Sequence, residues 1–517
     1  GLHADYEVNK DFTLGATMLN LTERPITAKI NAGDEPISNT IWGLDATYQT
    51  EAPWITKVAD KIPLIDTKAK SRLIASAEFA HLIPGHHRAV GKSGTSYIDD
   101  FESSRTSIDI KNMSAWNLAS IPTGQDKNGN NQSLIFNIEE EYSDTDTILY
   151  SNLNYGTRRA KLAWYTIDPL FFRNSSITPP NINKTITLSN GNTIAQQSYH
   201  YAREILETEV FPNRDPEYGS QLTNMAVFDV AYYPEERGPY NYNVGNLSSD
   251  GKLSNPEKNW AGIMRKLETN DFEAANIEFI EFWMMDPFNE QDGNINHSGG
   301  DMYLHLGNVS EDVLRDGYKS FENGLPTTAV LEDVKPTAWG RVPTNFSIVD
   351  AFDNEPSSRQ YQDVGLDGLN NTDEELFFNP LYIDRIELEH GVSSIAYQNA
   401  ISDPSADDFH YFRGSDFDAV SAEILTRYKD FNNQQGNSVT SDQSPESYPT
   451  AATTMPNSED INRDHTLSET ESYFQYKIRL FPNMDIGDSY ISDVVNANVK
   501  TEDGSVRTIK WYQFRVP

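Results

Sequence analysis

Three segments before residue 93 alternate strictly between apolar and polar side chains. In residues 11–21, Phe12, Leu14, Ala16 and Met18 fall on one face, and the same period of two runs through residues 41–48 and 73–82. A period of two is the signature of a β-strand. About ten residues with one apolar and one polar face is typical of a transmembrane β-strand, and equally of a soluble sheet with one wet face. The pattern therefore predicts strands and leaves their surroundings open.

Size and charge narrow the class of protein further. A chain of 517 residues is expected to form two to four domains. No stretch approaches the roughly 20 apolar residues of a spanning helix, so we expect no helical inner-membrane protein. Acidic residues number 77 against 41 basic ones, for a net charge of -36. Such a field repels nucleic-acid phosphates, favours divalent cations and keeps an exposed protein soluble.

The usual motifs of catalysis are missing from the sequence. There is no cysteine, which excludes disulfides, zinc–thiolate sites and thiol nucleophiles. Nucleophile elbow, zincin helix and dinucleotide fingerprint are absent as well. Glu278 and Glu281 are separated by an odd number on one predicted strand, so they point to opposite faces and cannot form an acid–base pair there. We therefore expect a protein that is not an enzyme.

Beyond about residue 95 the sequence is rich in aromatic residues, Asn, Asp, Pro and Gly. Short strands between turn clusters predict a β-sandwich, jelly-roll-like in arrangement. Residues 276–288 are apolar on both strand faces and predict a central strand covered on both sides. Helical spacing predicts short helices at residues 201–211 and 419–431, and the polar run 432–458 predicts a long flexible surface loop. The predicted fold class is mainly β.

The string DINRDHTLSETE, residues 460–471, has the ligand spacing of an EF-hand-type calcium loop. Oxygen-bearing side chains occupy positions one, three, five, seven, nine and twelve: Asp460, Asn462, Asp464, Thr466, Ser468 and Glu471. His465 stands where glycine normally permits the sharp turn, and the flanks form no obvious helix pair. The prediction is a Ca²⁺ loop outside an EF-hand, with an Asx-rich surface turn as the alternative.

A second string, DVGLDGLNNTDE at residues 363–374, has a related spacing. Asp363, Asp367, Asn371 and Glu374 occupy positions one, five, nine and twelve, and Gly368 lies at the turn position. Position three is a glycine, which offers no side-chain ligand. We predict a second, weaker Ca²⁺ candidate here.

Several long strings resemble the SprA/Sov family of type IX secretion in gliding Bacteroidetes. The most specific are YYPEERGPYNYN at residues 232–243 and WAGIMRKLETNDFEAANIEFIEFWMMDPF at residues 260–288. The strings NLTERPITAKINAGDEPISNTIWGLD at 20–45 and GTSYIDDFE at 94–102 also resemble the family and occur in its order. Similar strings continue toward the C-terminus, so the resemblance covers nearly the whole chain.

The resemblance implies an outer-membrane translocon that passes folded cargo proteins to the cell surface and supports gliding motility. It implies as partners a PorV-like outer-membrane shuttle protein, a periplasmic plug protein and cargo with type IX C-terminal signals. The chain would then be a portion of a large outer-membrane β-barrel protein. Residues 1–93 would supply barrel strands, 94–345 a sandwich-like extramembrane domain, and 346–517 the second part of that insertion. A soluble surface adhesin or carbohydrate-binding module is the alternative, and a surface hydrolase is a third class.

Overall fold

The computed structural model describes ten stretches of the chain: residues 1–22, 38–62, 69–85, 108–122, 153–188, 190–212, 224–275, 277–288, 298–438 and 455–517. The chain divides into two compact units. The first comprises Gly1–Thr106 with Asn213–Leu222, and the second comprises Ser107–Pro212 with Thr223–Pro517. The division predicted from sequence at residues 93 and 345 stays a prediction.

The first unit contains a four-stranded antiparallel meander in the order β1-β2-β3-β4. Its strands are β1 (Leu2–Asn9), β2 (Phe12–Thr22), β3 (Ser38–Glu51) and β4 (Arg72–Ile83), with helix α1 (Pro53–Ala59) between the last two. The three alternating segments are confirmed as strands. Strand β1 was not predicted, although Leu2, Ala4 and Tyr6 alternate with polar residues in the same way.

The register of this sheet places its apolar residues in one continuous row across the strands. Leu14 pairs with Ala46, and Leu44 pairs with both Ala16 and Phe79. The opposite face is polar in its middle, where Thr47 lies between Thr13 and Ser76, but Leu19, Ile41 and Leu82 form an apolar row nearer one end. The face that carries Leu44 exposes these large apolar side chains: Leu2, Tyr6, Leu14, Met18, Trp42, Leu44, Tyr48, Leu73 and Phe79.

The second unit consists of several small antiparallel sheets and short helices. Its strands are β5 (Asn117–Leu118), β6 (Ala160–Tyr165), β7 (Thr185–Thr187), β8 (Thr193–Ala195), β9 (Asp229–Arg237), β10 (Ile263–Met264), β11 (Ile280–Met285), β12 (Gly300–Asn308), β13 (Val334–Pro336), β14 (Arg341–Pro343), β15 (Ser472–Leu480), β16 (Ile491–Lys500) and β17 (Val506–Val516). They pair as β5-β10, β6-β9, β7-β8, β11-β17-β16, β12-β15 and β13-β14.

The α-helices of the second unit are short. They are α2 (Glu207–Val210), α3 (Arg359–Gln362), α4 (Asn371–Phe378), α5 (Asp384–His390), α6 (Ile395–Ser402), α7 (Ser415–Ala419) and α8 (Ile424–Arg427). A π-helical turn, Asn379–Ile383, joins α4 to α5, and 3-10 turns occur at Met113–Ala115, Leu153–Gly156, Pro169–Phe171, Gln196–Ser198, Pro256–Lys258, Glu322–Gly324 and Pro356–Ser358. Within the described residues, no helix is long and apolar enough to cross a membrane.

Two sheets near the C-terminus pack face to face. Phe282 of β11 stacks on Phe514 of β17 with ring centroids 5.0 Å apart, and Met302 and Ile478 of the sheet β12-β15 belong to the same core. The other face of β11 is also covered, since Trp283 packs in a separate core with residues around α2. The prediction of a central strand at residues 276–288 is wrong, because β17 is the middle strand and β11 lies at the edge. Apolar side chains do pack on both faces of β11, where they are partly buried.

Other sequence predictions need correction. The chain is mainly β, but the described strands form sheets of two to four strands, and neither a jelly roll nor a closed barrel appears among them. The helices predicted at residues 201–211 and 419–431 shrink to the single turns α2 and α8. The polar loop does not begin at residue 432, because Asn433, Gln434 and Ser438 are buried; residues 439–454 lie outside the described stretches.

His200 provides a pH-dependent term in the stability of the second unit. The ring is buried, and its Nε2–H donates to the Asp286 carbonyl at 2.8 Å. Burial, supported by the positive charge of Arg203, lowers the pKa of His200 from 6.5 to about 4, against the opposing effect of Glu209. Between those two pH values the unfolded chain holds the extra proton, so stability falls as the pH falls.

We therefore expect the wild type to lose up to about 3 kcal/mol of unfolding free energy between pH 7 and 4 through this residue. His200→Gln keeps a side-chain N–H for the carbonyl and removes the titration. Urea denaturation of both proteins at several pH values measures the difference. Parallel pH profiles for the two proteins would contradict the assignment.

Candidate metal centre

The second predicted calcium loop, residues 363–374, does not direct all four of its predicted ligands to one point. Asp363 accepts hydrogen bonds from the Gly436 amide at 3.1 Å and from the Ser438 amide at 3.0 Å. Asn371 donates its side-chain amide to Asp408 Oδ2 at 2.9 Å. Asp363 and Asn371 are thus hydrogen-bonding partners of two other segments.

Asp367 and Glu374 instead meet Asp407, which the sequence analysis did not single out. One carboxylate oxygen of each lies within 4.8 Å of the others, and all three residues are buried. A second group within the same limit joins Asp407 to Asp403 and Asp408. Five carboxylates from two segments therefore form one acidic cluster.

Two glycines of the loop allow this approach. Gly365 and Gly368 have φ of 72° and 67°, in the left-handed region that favours glycine. A Cβ on Gly365 would overlap Asp407 Oδ2, and a Cβ on Gly368 would overlap the Arg341 carbonyl. The predicted turn role of Gly368 thus has a physical reason, and the glycine at position three is where the two segments touch.

Helix α4 carries Glu374 into the cluster. Asn370 caps its N-terminus by accepting a hydrogen bond from the Asp373 amide at 3.1 Å. Phe378, one turn after Glu374, is fully buried and stacks on Tyr242 with ring centroids 4.1 Å apart. Side chains four residues apart share a helix face, so the packing of Phe378 also turns Glu374 toward the interior.

Neutral groups hold the three central carboxylates in place. Ser405 donates its hydroxyl to Asp367 Oδ2 at 2.5 Å and its amide to Glu374 Oε2 at 3.0 Å. The Tyr240 hydroxyl donates to Asp407 Oδ2 at 2.8 Å. None of these donors carries a positive charge.

Burial without a counter-charge shifts the acidity of the cluster. Burial, followed by repulsion between Asp367 and Asp407, raises the pKa of Asp367 well above its usual range. Burial and the charge of Glu374 do the same to the pKa of Asp407. Burial and the nearby Asp367 raise the pKa of Glu374 to about 10. Each carboxylate therefore binds a proton readily when no cation lies beside it.

The first predicted loop, residues 460–471, has cations at both ends. Asp460 and Lys319 form a buried ion pair of 2.6 Å, with side chains 3% and 4% exposed. Glu471 forms an ion pair with Arg315. Calcium binding by this loop stays a prediction. A bound ion would have to compete with Lys319 for Asp460 and with Arg315 for Glu471.

The middle of that loop is held by local hydrogen bonds. Asn462 Oδ1 accepts from the Asp464 amide at 2.7 Å, and Asp464 Oδ1 accepts from the Thr466 amide at 2.8 Å. The Ser468 amide donates to Glu311 Oε2 at 3.2 Å. His465 adopts a left-handed φ of 65°, so the turn forms there without glycine.

An open cleft of about 890 Å³ borders the acidic cluster. Asp403, Asp408 and Gln435 contribute to its wall, as do the basic residues Lys161 and Arg237. With its amide nitrogen turned toward the helix, Gln435 also donates to Glu374 Oε1 at 2.7 Å. The cleft gives small solutes a path to the edge of the cluster.

The sequence contained one signal for Asp403, Asp407 and Asp408, which the sequence analysis did not single out. The string DPSADD, residues 403–408, concentrates three Asp residues around a turn. Such acidic turns are usually solvated, and nothing in the string indicates that it meets a loop more than thirty residues earlier. The contact that makes the cluster was therefore beyond sequence reasoning.

The fold and this centre define a mainly β protein with an exposed apolar sheet face in one unit and a buried acidic centre in the other. Residues 381–517 match the family model SprA_N, described as motility related/secretion protein. Through these residues the chain is related to the SprA family, which supports the resemblance for the C-terminal part of the sequence. No curated protein matches the chain. The matched residues include Asp403, Asp407 and Asp408 but not Asp367 or Glu374.

Proposed function

We propose that this chain is part of the outer-membrane protein-conducting channel of type IX secretion, which passes folded cargo to the cell surface and supports gliding motility. The relation to a motility and secretion family supports a role in that process. The exposed apolar face of the sheet β1–β4 is the observation that carries the membrane part of the proposal. The PorV-like shuttle, the periplasmic plug protein and cargo with type IX signals are the partners we propose with it.

The exposed apolar side chains of that face argue for an apolar environment around it. Leu44 is 44% exposed, Phe79 54%, Met18 52% and Tyr6 68%. Contiguous apolar surfaces of this kind are rare on soluble proteins and mark contact with lipid or with another protein. An apolar face backed by a polar face is what a barrel strand requires, because one side meets lipid and the other the lumen. Open sheet edges are not tolerated in lipid, so the proposal requires further strands to complete a barrel.

The second unit fits a place outside the lipid. Its core buries Tyr240, Trp339 and Phe378, as expected for a compact unit that folds in water. The net charge of -36 disfavours anionic head groups and nucleic acid. We propose that it forms an extramembrane domain of the channel.

A pair of matched arginine variants tests the membrane face. Leu44→Arg places a charge on the apolar face, while Thr47→Arg places one on the polar face of the same strand. Arginine facing lipid near the midplane costs about 2–4 kcal/mol, so Leu44→Arg should reduce folded protein in the outer-membrane fraction at least several-fold. Thr47→Arg should stay close to wild type.

The measurement uses the intact protein in its own cells, with protease-resistant protein in the outer-membrane fraction and cargo at the cell surface as the two readouts. Equal behaviour of the two variants would contradict a lipid-facing sheet. Unchanged cargo export after removal of the chain's coding region would overturn the channel role.

A further inference from the structure

We infer that Asp367, Glu374 and Asp407 form a buried calcium site that joins helix α4 and its preceding loop to the turn at residues 403–408. This ligand set differs from both linear loops suggested by the sequence. It keeps two carboxylates of the second loop and takes the third from a separate segment. The inference does not depend on the proposed channel function.

The separation of the three carboxylates suits one shared cation. Their ligand oxygens lie within 4.8 Å of one another. Two oxygens bound to the same Ca²⁺ at its usual distance can be at most about 5 Å apart. All three are hard oxygen ligands, which favour Ca²⁺ or Mg²⁺ over a transition metal. A set drawn from a helix and two turns of separate segments favours Ca²⁺, because Mg²⁺ requires a more regular octahedron.

An unsatisfied oxygen provides independent support. Asp407 is fully buried, and its Oδ1 has no hydrogen-bond partner among the described residues, while its Oδ2 accepts from Tyr240. The Tyr382 hydroxyl, next to Asp403, is likewise buried with no partner in the described part of the chain. A buried acceptor without a donor is costly, and a bound cation would satisfy it.

Charge gives the third argument. Within the described stretches, no lysine or arginine forms an ion pair with Asp367, Glu374 or Asp407, and their donors are neutral. Buried Asp460 shows the contrast, because Lys319 balances its charge at 2.6 Å. Three buried carboxylates must either hold protons or share a cation. In the presence of calcium, one shared cation would balance the charge of all three carboxylates in their deprotonated state.

The surroundings are built to keep the carboxylates together. Ser405 bridges Asp367 and Glu374, and Gly365 leaves room for Asp407 where any side chain would overlap it. Asp403 and Asp408 continue the acidic path to the wall of the open cleft. A calcium ion arriving through the cleft would thus pass from partly exposed to fully buried carboxylates.

Calcium titration of the chelator-treated full chain tests the site. A ligand that binds only the folded state raises its melting temperature, and the rise grows with the logarithm of free ligand. We expect this with CaCl₂ and a clearly smaller rise with MgCl₂ at equal concentration. Asp407→Asn, which preserves shape, should weaken calcium binding at least tenfold. The matched control Asp493→Asn, at an exposed position of β16 outside both loops, should leave binding unchanged. Asp464→Asn removes a predicted ligand of the other loop and therefore distinguishes the two sites.

Terbium luminescence supplies a readout that does not depend on melting. Tb³⁺ replaces Ca²⁺ at oxygen sites, and Tyr240, hydrogen-bonded to Asp407, would sensitise it. Wild type should show tyrosine-sensitised emission that CaCl₂ displaces, and Glu374→Gln should lose it even if Asp407→Asn folds poorly. Loss of calcium binding in Asp464→Asn but not in Asp407→Asn would overturn the assignment in favour of residues 460–471. An absent calcium response in wild type by both methods would also overturn it.

Discussion

Lys319→Met is expected to lower the free energy of unfolding of the second unit by about 3–5 kcal/mol, the usual loss when one partner of a buried ion pair is removed. Lys319 and Asp460 are almost completely buried and 2.6 Å apart. Without the ammonium group, the hydrogen bonds left to Asp460 within the described stretches are those from the amides of Asp464 and His465. Its carboxylate would then be buried without a counter-charge.

Urea denaturation at pH 7 in chelator measures this loss. Lys252→Met is the matched control, because Lys252 and Glu235 form an ion pair that is exposed to solvent, and its removal should change stability little. A loss below 1 kcal/mol for Lys319→Met would contradict the buried pair. Repeating the experiment with CaCl₂ also tests the loop at residues 460–471: if it binds calcium, the ion should restore most of the lost stability of Lys319→Met.

Phe378→Ala is expected to cost about 3–5 kcal/mol, because it removes a fully buried aromatic ring and leaves a cavity. The ring stacks on Tyr242 and contacts Phe377 edge to face, with centroids 4.1 and 4.9 Å apart. Leu376→Ala on the same helix is the control, since Leu376 is 74% exposed and should change stability by less than about 0.5 kcal/mol.

The same variant should weaken calcium binding, because Phe378 fixes the face of α4 that presents Glu374. Calcium titration of Phe378→Ala and Leu376→Ala below their melting temperatures measures this effect. Unchanged affinity in Phe378→Ala would mean that the loop alone, and not the packing of the helix, positions the carboxylate.

The strands of the first unit were predictable because their signal is local. Successive side chains of a strand point to opposite faces, so Phe12, Leu14 and Ala16 reveal both the strand and its apolar side before any partner is known. That same alternation limits the register that lines up Leu44 with Phe79 to shifts of two residues, because a slip of one would reverse the faces. Strand β1 was missed although it carries the same pattern.

The helices of the second unit were harder to predict. Helix α4 begins within the string interpreted as a calcium loop, because Asn370 serves as its cap and not as part of an extended ligand loop. The segments at 201–211 and 419–431 have helical spacing, yet single turns form there. Tertiary packing of Val210 and Ile424 overrides the spacing in both cases.

The sequence by itself determined the mainly β character, the two-faced strands of the first unit, the glycine at the turn of residues 363–374 and the relation to a secretion family. Only the tertiary structure decided which carboxylates stay without a counter-charge. Asp460 and Lys319 are 141 residues apart and form an ion pair, while Asp367, Glu374 and Asp407 meet without a cation. The reason is physical: alternation and turn preference act between neighbours in the chain, whereas charge and burial act between neighbours in space.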